Sequence, residues 1–309
     1  MDLYMPDRDI LQHIFVYREC CYSCSIGYPD DADLSFNCMY SNHNMDPVKN
    51  IMYAYKNIAE QDLKIKMFEN ICSMAKYGSS SKMPIRENPI FLTNAITNIR
   101  KYSPTAPKHI LPALKDMLEY LKQDQSDVLV KSAMAHYQFE MIYPFDCYNG
   151  IIGRILIKKI LLDANCAANY LTISKSLYEA KNDYFDLLSS TQMSGGYIRW
   201  IKFFTAIILN AAKQSRTQIE GYHQIVKQDE EKIRKSESLS IKNTLAIFEY
   251  WKKNLVSSIT QSAKELELSY NTVERSVQLL QGLNILKQQS STQRNRLFVY
   301  SELQDLFSS

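Results

Sequence analysis

Apolar residues recur at helical spacing through most of the chain. Ile10, Ile14 and Tyr17 stand at i, i+4 and i+7 and predict one apolar helix face near the N-terminus. Ile51, Tyr55 and Ile58 make a second face, and Leu63, Met67 and Ile71 a third, so residues 46–77 read as two helices. Gly78 to Ser81 breaks the pattern. Lys82 to Thr93 carries Pro84 and Pro89 around short β-prone pieces and reads as an irregular hairpin or sheet edge. An amphipathic helix follows from Ile110 to Lys122. Val128 to Met141 is the next helix. It stops before Pro144, because the residue ahead of a proline is pushed out of the α region. Asn149 and Gly150 suit a tight loop feeding a further helix, Ile151 to Leu162. Ser174 to Ser190 reads as one helix and Tyr197 to Ala212 as a strongly apolar one. Lys213 to Lys235, rich in both charges, reads as a solvated helical spacer.

From about residue 240 the pattern changes. Ile241 to Tyr250, Gln261 to Glu267 and Thr272 to Leu283 predict three helices, the last capped by Ser269 or Asn271. Leu286 to Gln289 and Leu297 to Tyr300 predict two strands joined by a polar turn. A helix, a helix-turn-helix and a hairpin in that order predict a winged helix. Its own apolar set includes Leu245, Phe248, Leu266, Val273, Val277, Leu280, Leu286 and Phe298. The chain as a whole is expected to be mainly α.

Composition narrows the setting. A chain of 309 residues favours two domains with ample material for buried cores. A net charge of +3 does not by itself argue for nucleic acid. Scarce glycine and 21 tyrosines favour helices with aromatic packing. No signal-peptide pattern and no apolar run long enough to span a bilayer is found, so a cytoplasmic location and no membrane partner are expected. Seven scattered cysteines fit a reducing compartment. Cys21 and Cys24, with Cys38 and His43 downstream, have zinc-like ligand types, but the spacing is loose and buried core thiols are the favoured reading, so no metal site is assigned.

The candidate chemistry lies between the two central helices, in Ala135 to Ile157. Backbone N–H groups at a helix start form an anion site, and Arg154, one turn in, adds donors suited to phosphate. This segment resembles the Fic (Fido) family, whose signature is H-P-F-x-[DE]-G-N-G-R-x-x-R between two helices. The flanks AHYQFE and IGRILI resemble the family's as well. The resemblance implies a histidine base, an acid holding Mg, a glycine turn cradling ATP phosphates and an arginine engaging the terminal phosphates. It also implies AMP transfer to a protein hydroxyl. Pro144, Phe145, Asn149, Gly150 and Arg154 match. Tyr143 stands at the histidine position, Cys147 at the acid, Tyr148 at the first glycine and Ile151 at the first arginine. A phenol with a pKa near 10 is ionised about one part in a thousand at neutral pH, a penalty of roughly 4 kcal/mol. A thiol supplies no hard oxygen for Mg. No catalytic residue is therefore assigned. Asn149, Gly150 and Arg154 remain as candidate nucleotide contacts, with ATP and Mg implied by the resemblance alone.

The resemblance extends outward. Arg18 to Ile26 resembles the family's inhibitory helix, [ST]-x-x-x-E-[GN], with Ser23 matching its start but Gly27 and Tyr28 in the glutamate and glycine slots. Residues 82–93 take the place of the family's flap, which clamps a target protein segment, and Arg86 resembles the flap arginine. Tyr184 and Phe185 fall where the family has paired tyrosines near adenine, although aromatics at helical spacing are commonly core. Arg154 is expected to pair with a protein acid, Asp146 first among Glu19, Asp30 and Asp31. The expected division is an N-terminal part with a degenerate inhibitory helix over 1–60, a Fic-like core over 61–235 and a winged helix over 240–309. The last region holds eight basic and six acidic side chains. Tyr270, Asn271, Arg275 and Gln278 from its second helix, and Arg294 and Arg296 from the wing, are candidate DNA contacts. Winged helices also mediate protein contacts and homo-oligomers, so that alternative stays open. The functional expectation is a regulatory or nucleotide-sensing module lacking efficient AMP transfer. The alternatives are an altered but working adenylyltransferase and a DNA-binding transcriptional regulator.

Overall fold

The computed structural model describes residues 5–26, 46–90, 92–93, 100–236, 241–289 and 296–308. Thirteen helices and five short strands occur among them. By packing, the chain divides into two compact units, each discontinuous in sequence. Described residues of 15–26 and 46–213 form one unit, and those of 5–14 and 214–308 the other.

In the larger unit, the second half of α1 (Arg8–Ser25), α2 (Asp46–Lys56) and α3 (Ile65–Tyr77) share an apolar core with α4 (Pro107–Gln123), α5 (Val128–Ile142) and α6 (Asn149–Asp163). The local signals are visible. Gly78 ends α3 in the left-handed region, φ +68°, where glycine pays no Cβ penalty. Pro107 opens α4 at a position that needs no N–H donor. Asp127 caps α5 by accepting the Leu129 N–H at 2.8 Å. Phe68 and Phe139 meet in the centre of this core, ring centroids 5.0 Å apart.

The small hairpin lies later than the 82–93 stretch suggests. Residues 82–90 form no strand, and β1 (Leu92–Thr93) pairs antiparallel with β2 (Arg100–Tyr102). The helix expected over 174–190 is two helices, α7 (Ile173–Glu179) and α8 (Lys181–Ser194). The break serves burial: Ile173 to Leu177 are buried consecutively, whereas α8 buries only Tyr184, Leu188 and Thr191. A single straight helix would carry one exposure pattern through both. Trp200, on α9 (Tyr197–Lys235), is buried in this unit and donates its indole N–H to the Ala133 carbonyl at 2.8 Å.

The spacer expected over 213–235 is the C-terminal continuation of α9 and is not solvated all round. Ser215, Gln218, Tyr222, Val226, Asp229 and Ile233 are buried at steps of three and four residues. Half of that stripe is polar, so its hydropathy pattern is faint. In the smaller unit this half of α9 joins the start of α1, α10 (Ile241–Asn254), α11 (Ile259–Glu265), α12 (Tyr270–Gly282) and α13 (Ser301–Ser308). Strands β3 (Val256–Ser258), β4 (Leu286–Gln288) and β5 (Leu297–Tyr300) form an antiparallel sheet in the order β3-β5-β4. Neither β3 nor α13 was expected. A Cβ on Gly221 would meet the Leu306 side chain at 2.9 Å, so glycine lets α9 and α13 close up. Lys252 binds both oxygens of Asp7, at 3.0 and 2.9 Å, and Tyr222 donates to the same carboxylate at 2.9 Å.

Asp229 is buried and accepts from Tyr300 Oη at 2.6 Å and from Lys232 Nζ at 2.5 Å. Replacing Tyr300 by Phe removes one donor from a buried carboxylate. The variant should lose about 1–3 kcal/mol of stability in urea denaturation, and an unchanged midpoint would contradict this account.

Candidate functional site

The loop between α5 and α6 is held from its backbone. Tyr143 leaves α5 in the left-handed region, φ +48°, its N–H still bonded to the Phe139 carbonyl at 2.9 Å. Tyr148 enters α6 in the same region, φ +63°. For a residue with a Cβ such a conformation costs roughly 1–2 kcal/mol. Asn149 closes the loop between them: its Oδ1 accepts from the Phe145 N–H at 3.0 Å and its Nδ2 donates to the Phe145 carbonyl at 2.7 Å.

Arg86 holds the end of α5. It is buried, and its guanidinium donates to the carbonyls of Tyr143 at 2.7 Å, Asn88 at 2.9 Å, Ile142 at 3.3 Å and Thr105. Its backbone N–H reaches the Pro144 carbonyl at 3.0 Å. The last carbonyls of a helix lack intrahelical donors and carry partial negative charge, which a cation satisfies.

Arg154 is 4% exposed. The expectation that Asp146 pairs with it is wrong. Asp146 is exposed, and no carboxylate of the described residues lies within ion-pair distance of Arg154. Its partner is Ser23 on α1: Nε donates to Ser23 Oγ at 2.8 Å and a terminal nitrogen donates to the Ser23 carbonyl at 2.7 Å. The other terminal nitrogen lies 3.0 Å from where a Cβ on Gly150 would stand, so a larger residue there would press on the guanidinium. The sequence marked Ser23 by its place in the inhibitory-helix resemblance, not as this partner. Asp30 and Asp31, with Gly27, Tyr28, Cys38 and His43, lie outside the described residues.

Two acids sit in the field of Arg154 without touching it. Glu19 is fully enclosed. Its carboxylate accepts from the Ser174 N–H at 2.9 Å, Ser174 Oγ at 2.5 Å and Tyr55 Oη at 3.2 Å. Burial raises its pKa, opposed by those hydrogen bonds and by Arg154. Glu140, on α5, was not singled out from the sequence. Burial lifts it to about 7, with Arg154 opposing. A Cβ on Gly153 would stand 2.7 Å from Glu140 Oε1 and 3.0 Å from His136 Nδ1, so this glycine lets α5 and α6 touch there. His136 is held neutral by burial and by Arg154, with its pKa down at about 3, and its Nε2 bonds Tyr184 Oη at 3.0 Å. Tyr184 is thus a core residue stacked on His136 rather than an open platform. Lys158, also buried, is pushed down to about 8 by burial and lies over the Tyr55 ring at 5.0 Å.

Tyr143 is half-buried. Burial, then Glu140, push its hydroxyl up to about 12, and a hydrogen bond with Asn149 opposes the rise. Cys147 is half-buried beside Cys72. A separate shallow cleft of about 440 Å³ lies between α8 and α9, lined by Asp183, Asp186, Leu187, Ser190, Arg199 and Phe203. It shares no residue with the loop. Among the described residues no group of three or more His, Cys, Asp or Glu could hold a metal ion, and no helix is long and apolar enough to cross a membrane.

Comparison with known proteins agrees with this geometry. Residues 61–161, which contain α5, the loop and most of α6, match the model of the Fic/DOC family. The segment that carries the site is thus similar to the Fic/DOC family. Over 129 residues it is 24% identical to Protein adenylyltransferase fic-1 of Caenorhabditis briggsae, covering 40% of this chain and 22% of that protein. Over 64 residues it is 36% identical to a probable protein adenylyltransferase of Aquifex aeolicus (strain VF5), covering 20% of each. The chain thus spans about a fifth of the length of the curated relatives it matches. A solved Fic family protein from Desulfovibrio desulfuricans G20 superposes with a TM-score of 0.59 at 14% identity, covering 96% of this chain and 88% of that one. The Fic fold is accordingly mainly helical here, with a small three-stranded sheet near the C-terminus.

The Glu140 environment has a consequence for pH. A carboxyl whose folded pKa lies above its unfolded value keeps its proton longer in the fold, so the fold loses stability as pH rises from the unfolded value, about 4.3, through about 7. Arg154, His136, Tyr102, Tyr143 and Tyr184 are the titratable groups that bear on it. Glu140→Gln should remove that loss. Relative to the natural chain, the variant should gain roughly 2 kcal/mol between about pH 5 and pH 8 in denaturation curves. A difference independent of pH would refute the assignment.

Proposed function

We propose that this chain is a Fic/DOC protein with a degenerate site and acts as a regulatory or nucleotide-sensing binding module rather than as an efficient AMP transferase. One observation carries the reading: the group at the family's base position is a phenol whose pKa is pushed to about 12. At neutral pH it is ionised only about one part in 10⁵. Two further observations support it. The residue at the family's acid position does not fit Mg, since Cys147 offers a thiol where a hard oxygen is wanted. Arg154 is engaged by Ser23, so an anion at the start of α6 meets an arginine already held. Asn149, Gly150 and Arg154 remain the candidate nucleotide contacts. The Asn149 side chain is committed to the loop, which leaves backbone N–H groups as its share of the site.

Transfer of labelled AMP from ATP, to itself or to a target, should stay at background in the natural chain and in Tyr143→His. The single change restores a base but neither an oxygen ligand at Cys147 nor a glycine at Tyr148. A readily measured rate in that variant would overturn the reading and favour an altered but working adenylyltransferase. Calorimetry with ATP, ADP and AMP should show binding that Mg does not strengthen. No heat with any of the three would remove the sensing role.

A second reading rests on the C-terminal elements. The order α10, β3, α11, α12, β4, β5, with β5 central in the sheet, supports a winged helix. Ser269 caps α12 by accepting the Thr272 N–H at 3.2 Å, and Tyr270, Asn271, Arg275 and Gln278 are exposed along α12. Arg296 is less available than expected, because it pairs with Glu274 at 3.1 Å, and Arg294 lies outside the described residues. If this unit binds duplex DNA, gel shifts should weaken about tenfold or more between about 50 and 200 mM salt, and Arg275→Ala should weaken them at either. No shift at low salt would leave protein contact as the role of this unit.

A further inference from the structure

We propose that Cys72 and Cys147 form a redox-modifiable thiol pair, closed to a disulfide by exchange with a low-molecular-weight disulfide, which ties the loop between α5 and α6 to α3. The placement is specific. Cys72 lies on the buried face of α3 with Phe68, Ile71 and Ala75, and is fully buried. Its Sγ donates to the Cys147 carbonyl at 3.7 Å across 75 residues of sequence. Each thiol also bears on the ionisation of the other, which fits two groups close in space. Cys147 is half-buried in a segment without regular secondary structure, so it is accessible from solvent and free of helical constraint.

The other described cysteines are worse placed. Cys20, Cys21 and Cys24 lie along one helix, where neighbouring Cβ atoms stand about 5–6 Å apart, beyond disulfide geometry. Cys166 turns its Sγ to the Ala164 carbonyl at 3.8 Å. Among the described cysteines, the 72–147 pair is the one with a contact that joins two separate elements.

The step balances as two exchanges. The Cys147 thiolate attacks one sulfur of oxidised glutathione, forms a mixed disulfide and expels one glutathione thiolate. The Cys72 thiolate then attacks the Cys147 sulfur and expels the second. Two cysteines are oxidised, one glutathione disulfide is reduced to two thiols, and the cysteine protons end on the leaving groups. Lys76, one turn beyond Cys72 on α3, favours both thiolates, while Asp146 opposes them. Burial raises both thiols, Cys72 to about 12, so exchange is slow at neutral pH and quickens with alkalinity.

The test uses the full chain, incubated with oxidised glutathione, alkylated under denaturing conditions and digested with trypsin. Peptides 67–76 and 132–154 each hold one cysteine of the pair and end at tryptic sites. They should appear linked, lighter than their sum by two hydrogens, with two thiols lost to alkylation and both recovered by dithiothreitol. The rate should rise between about pH 7 and pH 9. Cys72→Ser should leave Cys147 as a stable glutathione adduct, and Cys147→Ser should leave Cys72 fully alkylatable. Three outcomes would each overturn the proposal. The natural chain could carry glutathione on Cys147 with Cys72 still alkylatable. Both thiols could stay reduced throughout. The links could run through Cys20, Cys21, Cys24 or Cys166 instead.

Discussion

A guanidinium placed inside a helical core needs compensation, and the larger unit is arranged around supplying it. Among the described residues no carboxylate lies within ion-pair distance of Arg154, and removing a charge from water costs several kcal/mol unless donors are satisfied. Ser23 supplies both an hydroxyl and a carbonyl, which fixes α1 against α6. Two glycines give way around it: Gly150 to the guanidinium itself, Gly153 to Glu140 and His136. Glu19 and Glu140 then share the positive field at a distance. The result is a buried polar layer that joins α1, α5 and α6 by electrostatic requirement as well as by apolar fit.

Arg86 solves a related problem by the same means. It too is buried, and its guanidinium donates to carbonyl oxygens from the end of α5 and two neighbouring segments. Both arginines therefore serve as ties between main chains. This bears on the resemblance to a flap arginine. Whatever residues 82–93 do to a partner, Arg86 itself is spent on holding the turn that follows α5.

Much of the fold was legible because its signals are local. Helix periodicity found α2 to α6, Gly78 marked the end of α3, and the strands β4 and β5 fell within a residue of their expected limits. The misses share a physical cause. The C-terminal half of α9 hides its core stripe because Ser215, Gln218 and Asp229 are polar, and burial of polar groups depends on partners far away in sequence. The choice of Asp146 for Arg154 failed for the same reason: nearness in sequence stood in for a partner 131 residues away. Tyr143 and Tyr148 were flagged as departures from the family motif, yet the backbone they occupy is the left-handed one that glycine would adopt with least cost. Glu140 and His136 stood only within the family-like flank AHYQFE, and their state is set by burial together with the charge of Arg154.

The Asn149 side chain leads to a last point. By spending both ends of its amide on Phe145, it closes a small hydrogen-bonded ring whose members are backbone atoms and one residue type. The three side chains within the ring, at 146, 147 and 148, contribute nothing to closing it. Shape and chemical identity are thereby uncoupled in this loop. The ring therefore keeps its outline whatever side chains stand at those three positions, so substitutions there would alter what the loop displays and leave its closure intact.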